Sequence, residues 1–190
     1  MDSDERTTLE QELIPRRYWG CTWETFKIER AFPVPVKVLK SWQGEGEPIC
    51  CICGPAGTGK THMAVATVLR WIAARGYGAR FLVVPEWLQE IKGGFGSGDS
   101  FTLLHRAQSS STKLLVLDDL GAELATDWVR DTVYSVVNHR YNELLPTIVT
   151  TNLTLAEISQ NYHDRLASRL ASGLVVNTKT LPDRRLEEKK

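Results

Sequence analysis

The chain has 190 residues, 42% of them hydrophobic, with 23 basic and 23 acidic side chains and a formal net charge of zero. That length suits one domain with a substantial core, and the balanced charge excludes recognition of nucleic acid through the field of the whole molecule, so any such contact must come from a local patch. No apolar run approaches the roughly 18 residues needed to cross a bilayer, and the acidic start lacks the basic opening of a signal peptide, so a cytoplasmic location is expected.

Residues 1–13 are charged and suit a frayed helix, whereas residues 14–32 are rich in aromatics: Tyr18, Trp19, Trp23, Phe26 and Phe32. That enrichment predicts an ordered segment packed on the domain. The apolar run Ile49–Cys53 reads as a buried strand. It leads directly into Gly54-Pro55-Ala56-Gly57-Thr58-Gly59-Lys60-Thr61, a complete G-x-x-x-x-G-K-[ST] loop, and residues 62–74 follow as a helix closed by Gly76. Three of the four cysteines, Cys50, Cys51 and Cys53, lie in that strand, with Cys21 upstream. Alternation sends Cys50 to one face and Cys51 and Cys53 to the other, which is poor geometry for a tetrahedral metal site. They read as small buried hydrophobes.

Residues 79–84 predict a second strand ending at Pro85, residues 86–92 a short helix, and the glycine-rich stretch 93–98 a flexible loop. Asp99 or Ser100 caps a helix to about Gln108, with Phe101, Leu104 and Ala107 on one face. Residues 113–117 form a central strand that presents Asp118 and Asp119 at its C-terminal edge, where open α/β sheets bind ligands. Thr126 caps the next helix, in which Val129, Val133, Val136, Val137, Tyr141 and Leu144 repeat near a 3.6-residue period until Pro146 interrupts. Thr147–Thr151 is a fourth strand ending at Asn152, and Thr154 with Glu157 matches a capping box. Leu174–Asn177 is a fifth strand, and the tail from Pro182 onward is charged. Strands alternating with helices predict an α/β fold, a three-layer α/β/α P-loop arrangement on a five-stranded parallel sheet.

The loop points to a nucleoside triphosphate. Its glycines let backbone N–H groups turn inward on closely spaced oxygens, and the helix N-terminus, including His62, faces them with positive potential. Lys60 reaches the β- and γ-phosphates, and Thr61 offers its hydroxyl to Mg²⁺. Hydrolysis needs more than a phosphate cradle. Asp118 would hold the Mg²⁺, largely through its waters, and Asp119 would orient or deprotonate the attacking water, with Glu123 as an alternative base. Asn152, ending the neighbouring strand, would hold that water against the γ-phosphate. Arg165 and Arg169 lie four residues apart on one helix face, and Arg169 is favoured as an arginine finger completing a neighbour's site.

These residues together resemble the AAA+ ATPases of the DnaC/DnaI helicase-loader group, related to DnaA initiators and IstB transposition ATPases. The resemblance covers about residues 18–181 and rests on G-P-A-G-T-G-K-T-H-M-A from Gly54, L-L-V-L-D-D-L-G-A-E from Leu114, N-H-R-Y-N from Asn138, L-P-T-I-V-T-T-N-L from Leu145 and R-L-A-S-R from Arg165. It implies an AAA+ core over 33–181, flanked by an N-terminal segment (1–32) and a charged tail (182–190). It also implies Walker A at residues 54–61, Walker B at Asp118 and Asp119, sensor 1 at Asn152 and the box VII arginine at Arg169. ATP-dependent homo-oligomerisation on single-stranded DNA, with a replicative DNA helicase of DnaB type as partner, follows from the same resemblance. So does DNA contact after strand two, which places Lys92 and Phe95 near the strand, a phenylalanine stacking on bases and a lysine following phosphates.

Three departures from the family pattern stand out. Asp119 replaces the usual glutamate, which implies slow hydrolysis. Roughly 50 residues precede the loop, too few for the separate helicase-binding domain of full-length loaders. The helical lid is reduced or absent, with Arg184 or Arg185 left to imitate its sensor arginine. An IstB-like transposition helper and a nucleotide-dependent binding module with negligible turnover remain as alternatives.

Overall fold

The computed structural model describes residues 10, 12–26, 34–76, 78–96 and 99–183. Its centre is a five-stranded parallel sheet of β1 (Ile49–Cys53), β2 (Ala79–Val83), β3 (Leu114–Leu120), β4 (Thr147–Thr151) and β5 (Leu174–Asn177), in the order β2-β3-β4-β1-β5. All five residues of β1 and of β4 are buried, as continuous apolar or β-branched runs require when helices cover both faces of a sheet.

Seven α-helices among the described residues supply those covers: α1 (Val34–Ser41), α2 (Lys60–Arg75), α3 (Val84–Gly93), α4 (Asp99–Gln108), α5 (Asp127–Asn142), α6 (Leu155–Asn161) and α7 (Asp164–Ala171). Strand alternation sorts the core into two layers. Cys50, Ile52, Phe81, Val116 and Ile148 pack against α1, α2 and the aromatic segment near the N-terminus, through Met63, Val68, Leu39, Trp23 and Phe26. Cys51, Cys53, Leu82, Leu117 and Val149 pack on the opposite face against Trp87, Val133, Val137, Ile158 and Leu166. All four cysteines are free, and Cys50, Cys51 and Cys53 fill the two layers on the sides that alternation assigns them. Tyr18 and Trp19 lie against the first layer, whereas Phe32 and most of residues 1–13 fall outside the described residues. The same segment protects the sheet's outer edge, because the Phe81 N–H on β2 donates to the Glu12 carbonyl at 2.9 Å.

Several boundaries differ from the sequence reading, each for a local reason. Pro85 does not end β2; it sits in the first turn of α3, where no amide donor is needed. Residues 34–41 form α1, with Val36 and Leu39 buried one turn apart, an element too short to show a period in the sequence. Phe101 is 75% exposed and stacks on His105, so the inner face of α4 is built by Ser100, Leu104 and Ala107 instead. Ser97 and Gly98 of the glycine-rich loop, and Arg184 and Arg185 of the tail, fall outside the described residues. Among the described residues no helix is long and apolar enough to cross a membrane.

Leu144 was assigned to the apolar stripe of α5, yet it lies beyond the helix end, 68% exposed, with φ +53°. The Leu145 N–H donates to the Arg140 carbonyl at 2.8 Å, so Leu144 occupies the left-handed position that terminates many helices and favours glycine. Leu144→Gly is therefore expected to stabilise the fold by about 0.5–1 kcal/mol, because relief of left-handed strain exceeds the added unfolded-state entropy. Urea unfolding measures this, and a lower midpoint would contradict it.

Candidate nucleotide-binding site

Parallel pairing sets the C-terminal ends of β3, β4 and β1 side by side, with Cys53 opposite Thr151 and Leu117 opposite Val149. The loop leaves β1 at that edge. Its glycines adopt φ values of +136° at Gly54, +78° at Gly57 and +88° at Gly59, which side chains other than glycine's rarely tolerate. The Gly54 N–H donates to the Thr151 carbonyl at 3.2 Å, which ties the start of the loop to β4. Gly59 then opens α2, so the positive end of a 16-residue helix faces the loop.

Lys60 is 8% exposed, and its ammonium donates to Gly54 O (2.8 Å), Pro55 O (2.7 Å) and Asn152 Oδ1 (2.7 Å). The Asn152 amide faces the other way to donate from Nδ2 to Asp119 Oδ1 at 3.4 Å. Oxygen toward the cation and nitrogen toward the carboxylate is the orientation electrostatics favours. Lys60, Asn152 and Asp119 thus form one chain from the loop to β3.

Two adjacent acids on an ordinary strand would point to opposite faces. Here the pairing of β3 with β4 shifts between Leu117 and Leu120, and Asp119 takes φ +61°. Thr150 is the anchor of this bulge: it accepts from the Asp119 N–H (3.0 Å) and donates to Asp118 Oδ1 (2.6 Å). Thr61 donates to Asp118 Oδ2 at 3.3 Å, which links β3 to the loop. Asp118 is 3% exposed, and burial pushes its carboxyl above the usual range against the opposing pull of the Thr150 and Thr61 hydroxyls. Among the described residues no three His, Cys, Asp or Glu side chains cluster as a self-sufficient metal site. A buried carboxylate beside a threonine hydroxyl instead fits Mg²⁺ held together with phosphate and water oxygens.

Other singled-out residues lie around this centre. The His62 ring contacts Thr22 O (2.8 Å) and Phe26 (centroids 5.0 Å apart), so its side chain anchors the N-terminal segment to α2. Glu123 accepts from the Tyr162 hydroxyl and the Gly121 N–H. Arg165 is exposed on α7. Arg169 donates to Asn138 Oδ1 at 3.1 Å and stacks on Tyr141 at 4.4 Å; among the described residues it makes no hydrogen bond to the loop. Phe95, 60% exposed, meets Trp128 edge-to-face at 5.7 Å, and the Lys92 ammonium lies 4.9 Å from the same indole. Trp128 escaped the sequence reading because it sits in the first turn of α5, among residues read only for their capping.

A family model described as IstB-like ATP binding protein matches residues 40–182. The replicative helicase loader DnaI of Bacillus subtilis is 33% identical over 166 residues, spanning 83% of this chain and 52% of DnaI. The chain thus spans about half the length of that relative. In fold it is similar to a crystal structure of the DnaC helicase loader (TM-score 0.72, 24% identity, 86% of this chain and 99% of that one). It is also similar to the replication initiator DnaA bound to AMPPCP and single-stranded DNA (TM-score 0.71, 23% identity, 86% and 50%). These structural likenesses establish the P-loop AAA+ fold. With the family match running from the end of α1 to the residues beyond β5, across the loop, both aspartates and Asn152, the chain belongs to the IstB-like ATP-binding protein family.

Proposed function

We propose that the protein is a slow, oligomer-stimulated ATPase that acts in the cytoplasm as a loader of a replicative DNA helicase of DnaB type, assembling on single-stranded DNA. The observation that carries this reading is the chain of contacts from Lys60 through Asn152 to Asp119, beside Thr61 and Asp118. The relation to DnaI supports the helicase partner, and the DnaA likeness supports the ligands.

Bound ATP with Mg²⁺ supplies the phosphoanhydride to be cleaved. Lys60 would leave its two carbonyl acceptors to neutralise phosphate charge, and residues 54–61 with the start of α2 would hold the phosphates. Thr61 and Asp118 would keep the metal in place. Asp119, fixed by the bulge and by Asn152, would accept the proton of the attacking water, and Asn152 would orient that water. Arg169 would reach a neighbouring subunit's site from α7, completing it only in an assembly. Lys92 and Phe95, joined by Trp128, would form a stacking and phosphate-following patch for a single strand. In this reading residues 33–181 are the ATPase core, flanked by residues 1–32 and the tail 182–190.

ATP turnover measured across protein concentration tests the assignment. The wild type should show a specific rate that rises with concentration, Asp119→Asn should bind ATP but turn over at least tenfold more slowly, and Arg169→Ala should lose the concentration dependence. Full activity in Asp119→Asn would remove Asp119 from its role. The family description favours one second reading, an IstB-like transposition helper. ATP-bound Asp119→Asn used as bait separates the two by recovering a helicase or a transposase.

A further inference from the structure

The segment after β5 wraps the phosphate loop more closely than a simple exit from the sheet requires. The Thr178 N–H donates to the Cys53 carbonyl at 2.8 Å, extending the β1 pairing, and the hydroxyls of Thr178 and Thr58 meet at 2.7 Å. A Cβ placed on Gly54 would lie 2.4 Å from Thr178 Oγ1 and 3.2 Å from the Lys179 nitrogen. The chain then turns through the bond from Leu181 N–H to Thr178 O (2.9 Å) and comes back over the middle of the loop. There a Cβ placed on Gly57 would lie 1.9 Å from Asp183 Oδ1 and 2.7 Å from Oδ2. Two of the loop's three glycines are therefore required by this strap as well as by the loop's own φ values. The group it lays on Gly57 is a carboxylate.

We propose that Asp183 is an internal anion that competes with nucleotide phosphates for the Gly57 side of the loop, so that nucleotide binding and release of the strap of residues 178–183 are linked. This rests on reading residues 54–61 as a triphosphate site. A loop and helix N-terminus that attract phosphate attract a carboxylate by the same dipoles. Once a triphosphate is present the two anions repel each other in a partly desolvated site, where like charges a few ångströms apart interact far more strongly than in water. The strap is tied to β1 and the loop through Thr178 and rests on the core through the half-buried Leu181, while Lys179 and Thr180 between them are exposed, which leaves its middle room to move. Asp183 thus lowers nucleotide affinity and speeds nucleotide release, a useful property in a protein whose assembly state follows its nucleotide.

Titration of the full chain with a fluorescent ADP or ATP analogue, with stopped-flow measurement of its dissociation, tests this. Asp183→Asn keeps the shape and removes the charge, and Asp183→Ala removes both; each should bind about five- to tenfold more tightly, mainly through slower dissociation. Trypsin cleavage after Lys179, followed by mass spectrometry, is the second readout. In the wild type it should accelerate with saturating nucleotide, and in Asp183→Asn it should already be fast without it. Equal or weaker affinity in Asp183→Asn, or protection of Lys179 by nucleotide in the wild type, would overturn the inference while leaving the triphosphate site intact. A wild type that binds no nucleotide would remove both.

Discussion

Lys60→Ala is expected to reduce ATP affinity by more than 100-fold, as read by isothermal titration. The ammonium is held almost out of solvent with acceptors in three directions, Gly54 O, Pro55 O and Asn152 Oδ1, which place it at the loop. Exchanging neutral carbonyls for phosphate oxygens turns ordinary hydrogen bonds into charge-assisted ones. Removing one member of such a buried charge pair costs about 2–5 kcal/mol and leaves the other without compensation. At the middle of that range the loss already exceeds two orders of magnitude. Truncation also strips the donor from Asn152, so the link to Asp119 slackens; urea unfolding run alongside separates lost binding from lost fold. Affinity within tenfold of the wild type would mean that the loop holds its ligand without this lysine.

The linear motif and the strand before it were legible because a phosphate loop is local: eight consecutive residues, an apolar run ahead and a helix behind. The five strands were legible for a similar reason, since buried parallel strands are mostly apolar or β-branched runs, broken here only at Arg80, at the Asp118-Asp119 end of β3 and at Asn177. What depended on pairing between distant segments was not. That Asp118 and Asp119 both lie within hydrogen-bonding reach of the loop or its partner Asn152 depends on a bulge opposite Thr150, 32 residues away from Asp118 in sequence, and alternation alone would have separated the two acids. His62 belongs with the phosphates by sequence because it opens the helix after Thr61, and that placement says nothing of its ring, whose partners Thr22 and Phe26 lie roughly 40 residues upstream. Trp128 joins Lys92 and Phe95 only because the turn at residues 94–96 brings the end of α3 over the start of α5. Asp183 was read as part of a charged tail, since nothing in its neighbours tells that the chain doubles back over Gly57.

Arg140 is a residue whose signal was present and unread. It falls three and four positions after Val137 and Val136, on the apolar stripe of α5, and the structure buries it completely. All five of its N–H groups find acceptors: Thr147 Oγ1 (2.7 Å) from Nε, Ala107 O (3.1 Å) and Ser109 O (3.4 Å) from Nη1, and Thr112 O (3.0 Å) and Pro146 O (2.8 Å) from Nη2. No carboxylate is among these partners. Burial pulls its pKa down to about 9, so the guanidinium remains charged at neutral pH and is stabilised by four carbonyl dipoles and one hydroxyl. One side chain thereby joins the end of α4, the approach to β3 and the start of β4, the strand whose far end carries Asn152. Arg140→Met removes the desolvated charge but takes the donors from Thr147 Oγ1 and the Ala107 and Thr112 carbonyls, while Ser109 O and Pro146 O keep the Thr112 and Leu115 N–H groups, and unsatisfied acceptors cost about 1–3 kcal/mol each before relaxation. The net loss should be about 3–5 kcal/mol in urea unfolding, a large part of the stability of a domain of this size. Arg140→Lys keeps the charge with three donors on a flexible stem that cannot reproduce the planar fork, so it should recover less than half of that loss. A methionine variant within about 1 kcal/mol of the wild type would show that burying the charge offsets nearly everything its hydrogen bonds contribute.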